Sequence, residues 1–291
     1  MPPNPFRSAL LCALLLGCTE EPQTVSYESS ESNWVAVAAG ISHTCALNES
    51  QTISCWGQPG VEEHENPLSA PPGEFVSIAS GNAFSCALRA DGVASCWGDT
   101  SFGKTNPPTF PIAGLALGFE HACALDQDDR IACWGIEDRE ATQSPAGSFL
   151  QLSSGYDTSC GLTETQEIEC WGLGPLSDYE IPNEALQSIA LGGESACGLD
   201  IDGHAICWGN TEESPPNNVV FDQIGTGLRH ACALDTEGLA TCWGQNNSGE
   251  LETPQVSLST LSVGGAHACG VTPEGRIHCW GWNESGQASP P

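Results

Sequence analysis

Basic residues are scarce in this chain. Seven Lys and Arg stand against 37 Asp and Glu, a formal net charge of −30 with neutral His. Phosphate backbones are gripped by Lys and Arg, so this balance argues against a nucleic-acid partner. An anionic lipid surface would repel the chain as well. Methionine occurs once and tyrosine three times. Predicted helix is nearly absent, and beyond residue 17 no apolar run is long enough to cross a bilayer as a helix. Catalytic signatures are missing too: there is no nucleophile elbow, phosphate loop or metalloprotease motif. The scattered Arg89, Arg130, Arg139, Arg229 and Arg276 do not suggest the arginine cluster of a sialidase-type site. No catalytic residue, cofactor or metal is therefore assigned.

What the chain has is cysteine at a fixed rhythm. Fourteen of the 16 Cys fall in seven modules: Gly, four residues, Cys, nine residues, then Cys-Trp-Gly. The pairs are Cys45 and Cys55, Cys86 and Cys96, Cys123 and Cys133, Cys160 and Cys170, Cys197 and Cys207, Cys232 and Cys242, Cys269 and Cys279. The leading glycines are Gly40, Gly81, Gly118, Gly155, Gly192, Gly227 and Gly264. A period near 37 residues points to a solenoid or a propeller.

Three short strands fit each period. The first ends before the leading glycine, as in Trp34-Val35-Ala36-Val37, and the glycine is expected to permit a tight turn. The second carries the first cysteine, as in His43-Thr44-Cys45-Ala46-Leu47. Both faces of that strand are apolar, so both should be covered, as in a blade wedged between two others. The third ends in Cys-Trp-Gly. Ala90-Asp91-Gly92, Asp202-Gly203, Glu237-Gly238 and Glu274-Gly275 make the turn between the second and third strands; Gln51, Asp129 and Gln166 occupy the left-handed position in the other three modules. In a regular hairpin Cys86 then faces Cys96, Ala87 faces Ser95 and Leu88 faces Ala94, which brings the sulfurs within disulfide reach. Zinc would need four ligands and shorter gaps. Seven hairpin disulfides imply an oxidising compartment. The tryptophans after the second cysteines read as packing between blades.

The start of the chain agrees with export. Residues 1–17 have a basic start with Arg7 and a short apolar stretch, Ser8 to Leu16, as in a signal peptide. Leu15-Leu16-Gly17-Cys18 resembles the bacterial lipobox, which implies a lipid on Cys18. Cys12 leaves with the signal, so Cys18 is the one mature cysteine outside the seven pairs. Residues 18–33 read as a lipidated N-terminus and an acidic flexible tether, and 34–291 as one seven-repeat domain.

Val37-Ala38-Ala39-Gly40, His43-Thr44-Cys45-Ala46-Leu47, Ile53-Ser54-Cys55-Trp56-Gly57 and the stretch Trp280 to Gln287 resemble the regulator-of-chromosome-condensation repeat. This resemblance implies an all-β, seven-bladed β-propeller, with three-stranded blades of about 37 residues, a fold shared with a secreted bacterial β-lactamase inhibitor. The acidic charge and the signal set the chain apart from chromatin binding and nucleotide exchange. The hairpin cysteines depart from the family's usual pattern.

Function should lie where repeats differ. The residue pairs after the leading glycines should ring one propeller face. Among them Phe119, Glu120, Tyr156, Asp157, Glu194, Leu228 and Arg229 make a candidate aromatic-acidic binding patch. A second loop set follows Cys-Trp-Gly, and its first member holds Glu62, Glu63, His64 and Glu65, carboxylates of a kind that calcium uses, but without a calcium-hand spacing. His43, His121, His230 and His267 precede first cysteines by two; Phe84, Thr158 and Ser195 interrupt them, so they read as buried, hydrogen-bonded histidines and not as a metal ring. The expectation is a monomeric, exported, lipid-anchored binding module for a protein or surface polymer. An envelope enzyme working through channel or loop carboxylates and a purely structural surface protein are the other readings.

Overall fold

The computed structural model describes residues 26–30, 33–59, 66–137, 140–211 and 214–291. Seven antiparallel sheets of consecutive strands stand around a common axis. Six have three strands and the last has four. Each blade runs inner, middle, outer in chain order: Trp34–Ala39, His43–Asn48 and Ile53–Gly57 form the first. The helical features among the described residues are two short 3-10 turns, Ser101–Gly103 and Pro175–Asp178. No described helix is long and apolar enough to cross a membrane.

The hairpin register agrees with the sequence reading. Cys86 lies opposite Cys96, Ala87 opposite Ser95 and Leu88 opposite Ala94. All seven expected disulfides are formed within their own blades. The hairpin turns also behave as read. Gly92, Gly203, Gly238 and Gly275 have φ near +80°, and Gln51, Asp129 and Gln166 adopt the same left-handed conformation at φ 63°, 59° and 65°. The inner strands add a bulge. In five of them the register slips after the first residue, as between Phe149 and Gln151. The bulge turns the second residue outward and lets the first face the core: Leu150 is exposed and Phe149 buried.

Blade packing explains the repeat. Cys45 and Leu47 of the first blade pack on Phe75, Ala87 and Trp97 of the second. Cys197 and Leu199 of the fifth meet Phe221, Ala231, Ala233 and Trp243 of the sixth in the same way. Each disulfide thus faces the following blade, and each tryptophan covers the disulfide of the preceding one. The small residue after each first cysteine makes room for this. The indole N–H is satisfied by a loop carbonyl: Trp97 donates to Pro67, Trp134 to Lys104, Trp171 to Ala141 and Trp280 to Glu250, at 2.8–3.1 Å.

The leading glycines have a different reason from the one expected. None has the positive φ of a left-handed turn. A Cβ on Gly40, Gly81 or Gly118 would lie 2.6 Å from the carbonyl oxygen of the next leading glycine, and the remaining four would collide with theirs as well. What they permit is the approach of neighbouring blades at the axis. Backbone hydrogen bonds run between blades there, from Ile41 to Gly81, Asn82 to Gly118, Phe119 to Gly155, Gly193 to Gly227 and Gly265 to Gly40.

The ring closes through both ends of the chain. Trp56 Nε1 donates to Gln287 O at 2.8 Å, so the C-terminal tail takes the place that an inter-blade loop holds elsewhere. Trp34 N donates to Gly275 O, repeating the bond made by Phe75, Ile112, Phe149, Phe221 and Leu258 to their preceding hairpins. The region read as flexible tether holds one ordered element: Tyr27–Glu28 is a fourth, outermost strand on the last blade, opposite Cys279 and His278. Arg276 Nη1 holds Glu28 Oε1 at 2.6 Å. The signal segment, Cys18, Arg139 and residues Glu62 to Glu65 lie outside the described residues.

Candidate functional site

The turn between inner and middle strands carries two variable residues per blade, and the axis gathers all seven turns at one end. Ile41, Asn82, Phe119, Tyr156, Gly193, Leu228 and Gly265, each following a leading glycine, line a cavity of about 80 Å³ at the mouth of the central channel. The described lining there carries no carboxylate, histidine or basic side chain; its titratable group is the Tyr156 phenol. In six of the seven blades the second residue of the pair accepts a hydrogen bond from the residue just after Cys-Trp-Gly, as in Ile136 N to Glu120 O and Asn210 N to Glu194 O. Both variable loop sets therefore reach the same face.

Phe119 and Tyr156, from adjacent blades, stack at 4.3 Å between ring centroids with an interplanar angle of 25°. Tyr156 is 37% exposed. Beside it a second cavity of about 320 Å³ lies between Tyr156, Pro175, Gly193, Glu194, Leu228 and Arg229. The two cavities share Tyr156, Gly193 and Leu228, so they form one continuous depression. Five of the seven candidate residues, Phe119, Tyr156, Glu194, Leu228 and Arg229, line it.

The other two candidates are otherwise engaged. Asp157 is turned inward at 4% exposure. Glu120 holds Lys104, the only lysine of the chain, whose fully buried ammonium lies 2.6 Å from Glu120 Oε2 and 2.7 Å from Asp99 Oδ2. It also lies 5.3 Å from the centre of the Phe84 ring. Burial alone would raise the Asp99 carboxyl; hydrogen bonds from Lys104 and Ser101 outweigh it and hold the group below its ordinary value. Lys104 thus ties the loop after the second blade to the first turn of the third. The lone lysine of an acidic chain was a signal in the composition, but its partners were not readable from spacing. Pro175 and Asn210, also on the outer loops, join the site only through the fold.

Glu194 is the carboxylate of this depression. Asn210 Nδ2 donates to its Oε2 at 2.8 Å, and Arg229 Nη2 lies 3.4 Å from its Oε1. The hydrogen bond from Asn210, ahead of the charge of Arg229, holds its carboxyl below the usual range.

The four histidines sit inside the walls, between blades. His43 Nε2 shares a hydrogen bond with Ser85 Oγ of the next blade at 2.8 Å, and His121 Nε2 does so with Ser159 Oγ at 2.7 Å. Thr44 Oγ1 donates to Gln287 O and so accepts from His267 Nε2 across the seam, at 2.8 Å. His230 faces Ala268 at the equivalent place, and its Nε2 is buried without a partner. Burial pushes His43, His121 and His230 down to about 4 and His267 to about 3. No group of three or more metal-ligating side chains occurs among the described residues.

A closed ring of seven disulfide-stapled blades, with its variable loops collected at one mouth, defines a seven-bladed propeller. Residues 34–60, 75–104, 221–250 and 259–287 match the Regulator of chromosome condensation (RCC1) repeat. Similar solved structures agree. The ectodomain of the Physcomitrella patens receptor kinase CR4 is 26% identical, with a TM-score of 0.72 over 86% of this chain and 73% of that one. The CRINKLY WD40 ectodomain of the Arabidopsis thaliana receptor kinase ACR4 is 24% identical, with a TM-score of 0.72 over 89% and 98%. Prp20p from Saccharomyces cerevisiae, described with its binding to Gsp1p and histones, is 16% identical, with a TM-score of 0.67 over 88% and 84%. The latter two establish likeness of fold alone. No curated protein sequence matches the chain.

Proposed function

We propose that this chain is an exported propeller, held to a bacterial envelope membrane by a lipid on Cys18, that binds a protein partner at the channel mouth. The observation that carries the binding site is the stacked Phe119–Tyr156 pair, partly exposed beside a cavity of about 320 Å³. Aromatic side chains ordered before binding are favoured anchors, because little conformational freedom remains to be lost. The seven disulfides support an oxidising compartment. The resemblance to the CR4 receptor ectodomain supports a recognition role.

Two measurements test this. Photo-crosslinkers at Tyr156 and at Glu237, which lies on a hairpin turn at the opposite end of the blades, should capture a partner from the first position only. The affinity of that partner should then fall at least about ten-fold with Phe119→Ala or Tyr156→Ala; undiminished binding by both variants would remove the site. Mass mapping of the mature N-terminal peptide should show lipid on Cys18, and Cys18→Ser should release the protein from the membrane fraction.

A further inference from the structure

We propose that the cavity beside Tyr156 receives an arginine side chain of the protein partner. This rests on the channel-mouth reading above and names the chemistry it recognises. The walls suit a planar cation with an aliphatic stem. Tyr156 presents an aromatic ring, already backed by Phe119, while Pro175 and Leu228 supply apolar surface and Gly193 has no side chain to fill the space. A guanidinium lies well against such a ring, and its fork matches a carboxylate.

Glu194 is the carboxylate in place. Its Oε2 is oriented by Asn210, whereas Oε1 among the described residues has Arg229 at 3.4 Å, well beyond the 2.7–2.9 Å or so of a strong charge-assisted bond. That oxygen retains acceptor capacity, and the group beside it is itself a guanidinium. Arg229 is 47% exposed and can move aside. The whole chain selects for the same sign: at a net charge of −30 its field draws cations toward the surface and repels acidic segments. Lys104, the other cation near this mouth among the described residues, is buried and paired.

The test uses the full mature protein with fluorescently labelled tetra-arginine and tetra-glutamate peptide amides at about 150 mM salt, where long-range attraction is screened. Tetra-arginine should bind. Glu194→Gln should weaken it about ten-fold and Tyr156→Leu about five-fold, the size expected for a paired charge and a stacked cation. Arg229→Ala, which removes the competing guanidinium, should strengthen it several-fold. Glu237→Gln makes the same charge change at the far end of the blades and should alter affinity less than two-fold. Equal losses from Glu194→Gln and Glu237→Gln would show diffuse attraction and overturn the proposal. So would weaker tetra-arginine binding by Arg229→Ala, or tetra-glutamate binding that depends on Arg229. If the natural partner loses affinity with Tyr156→Ala but not with Glu194→Gln, the arginine pocket fails and the aromatic face stands.

Discussion

Two residues per blade, two and one before the first cysteine, follow a pairing rule that no single repeat reveals. Histidine meets a hydroxyl in the next blade: His43 with Ser85, His121 with Ser159 and His267 with Thr44. Phe84 instead meets Ala122, apolar against apolar. His230 breaks the rule by meeting Ala268, which leaves its Nε2 unsatisfied, where the other three histidines leave Nδ1. Two repairs follow from the protein's own repeats. Ala268→Ser supplies the missing hydroxyl, and His230→Phe copies the Phe84–Ala122 pair. Each should raise stability by about 1 kcal/mol in denaturant unfolding. The reverse change, Ser159→Ala, should lower it by a similar amount or more, because it strands His121. Such pairings were invisible in the sequence, since the two members lie about 40 positions apart, or 223 across the seam, and even the histidines do not recur in every module.

At the scale of the strand and turn, the glycines separate into two kinds with different sensitivities. The hairpin glycines serve backbone conformation, and Gln51 shows the cost of doing without one. It is exposed and held at φ 63°. Gln51→Gly should stabilise the protein by about 0.5–1 kcal/mol, the left-handed penalty less the entropy of glycine. The leading glycines serve approach between blades. Gly155→Ala would drive a methyl into the Gly192 carbonyl, so a loss of about 3 kcal/mol or failure to fold is expected. Gly114→Ala in a neighbouring inner strand is the control: the nearest atom to its new methyl, on Leu125, is 3.9 Å away, and stability should hold or rise. Thermal melts of the three variants would order them Gln51→Gly, Gly114→Ala, Gly155→Ala or nearly so, with the last far below the others. The existence of these glycines was plain in the repeat; the reason for the leading set was not, because the obstructing atom belongs to another blade.

For the whole molecule, the interfaces between blades carry most of what holds the ring, and four of them contain a neutral buried histidine. The unfolded chain protonates these rings near the ordinary value of 6.5, whereas the folded protein resists until about 4 or 3. The unfolded state therefore binds more protons in between, and stability rises with pH across that window. Their contribution is complete above about pH 6.5 and is lost as pH falls toward 4. Melting temperature should accordingly drop between pH 6.5 and 4.5, and His230→Phe should flatten that drop by removing one of the four titrating groups. Closure of the ring is the other property of this scale. It uses the same tryptophan-to-carbonyl bond as the inner interfaces, supplied by the C-terminal tail, and adds the short Tyr27–Glu28 strand at the rim.

The repeat alone determined the strand order within a blade, the seven disulfides, the left-handed hairpin positions and the loops that would share a face. These depend on contacts within about a dozen residues, where spacing along the chain stands in for spacing in three dimensions. Only the tertiary structure decided which loop residues border an open cavity. Glu120 and Asp157 look like Glu194 in the sequence, yet one neutralises a buried lysine and the other is turned inward, while Glu194 borders an open cavity. That distinction comes from side chains on neighbouring blades, brought together by closing the ring.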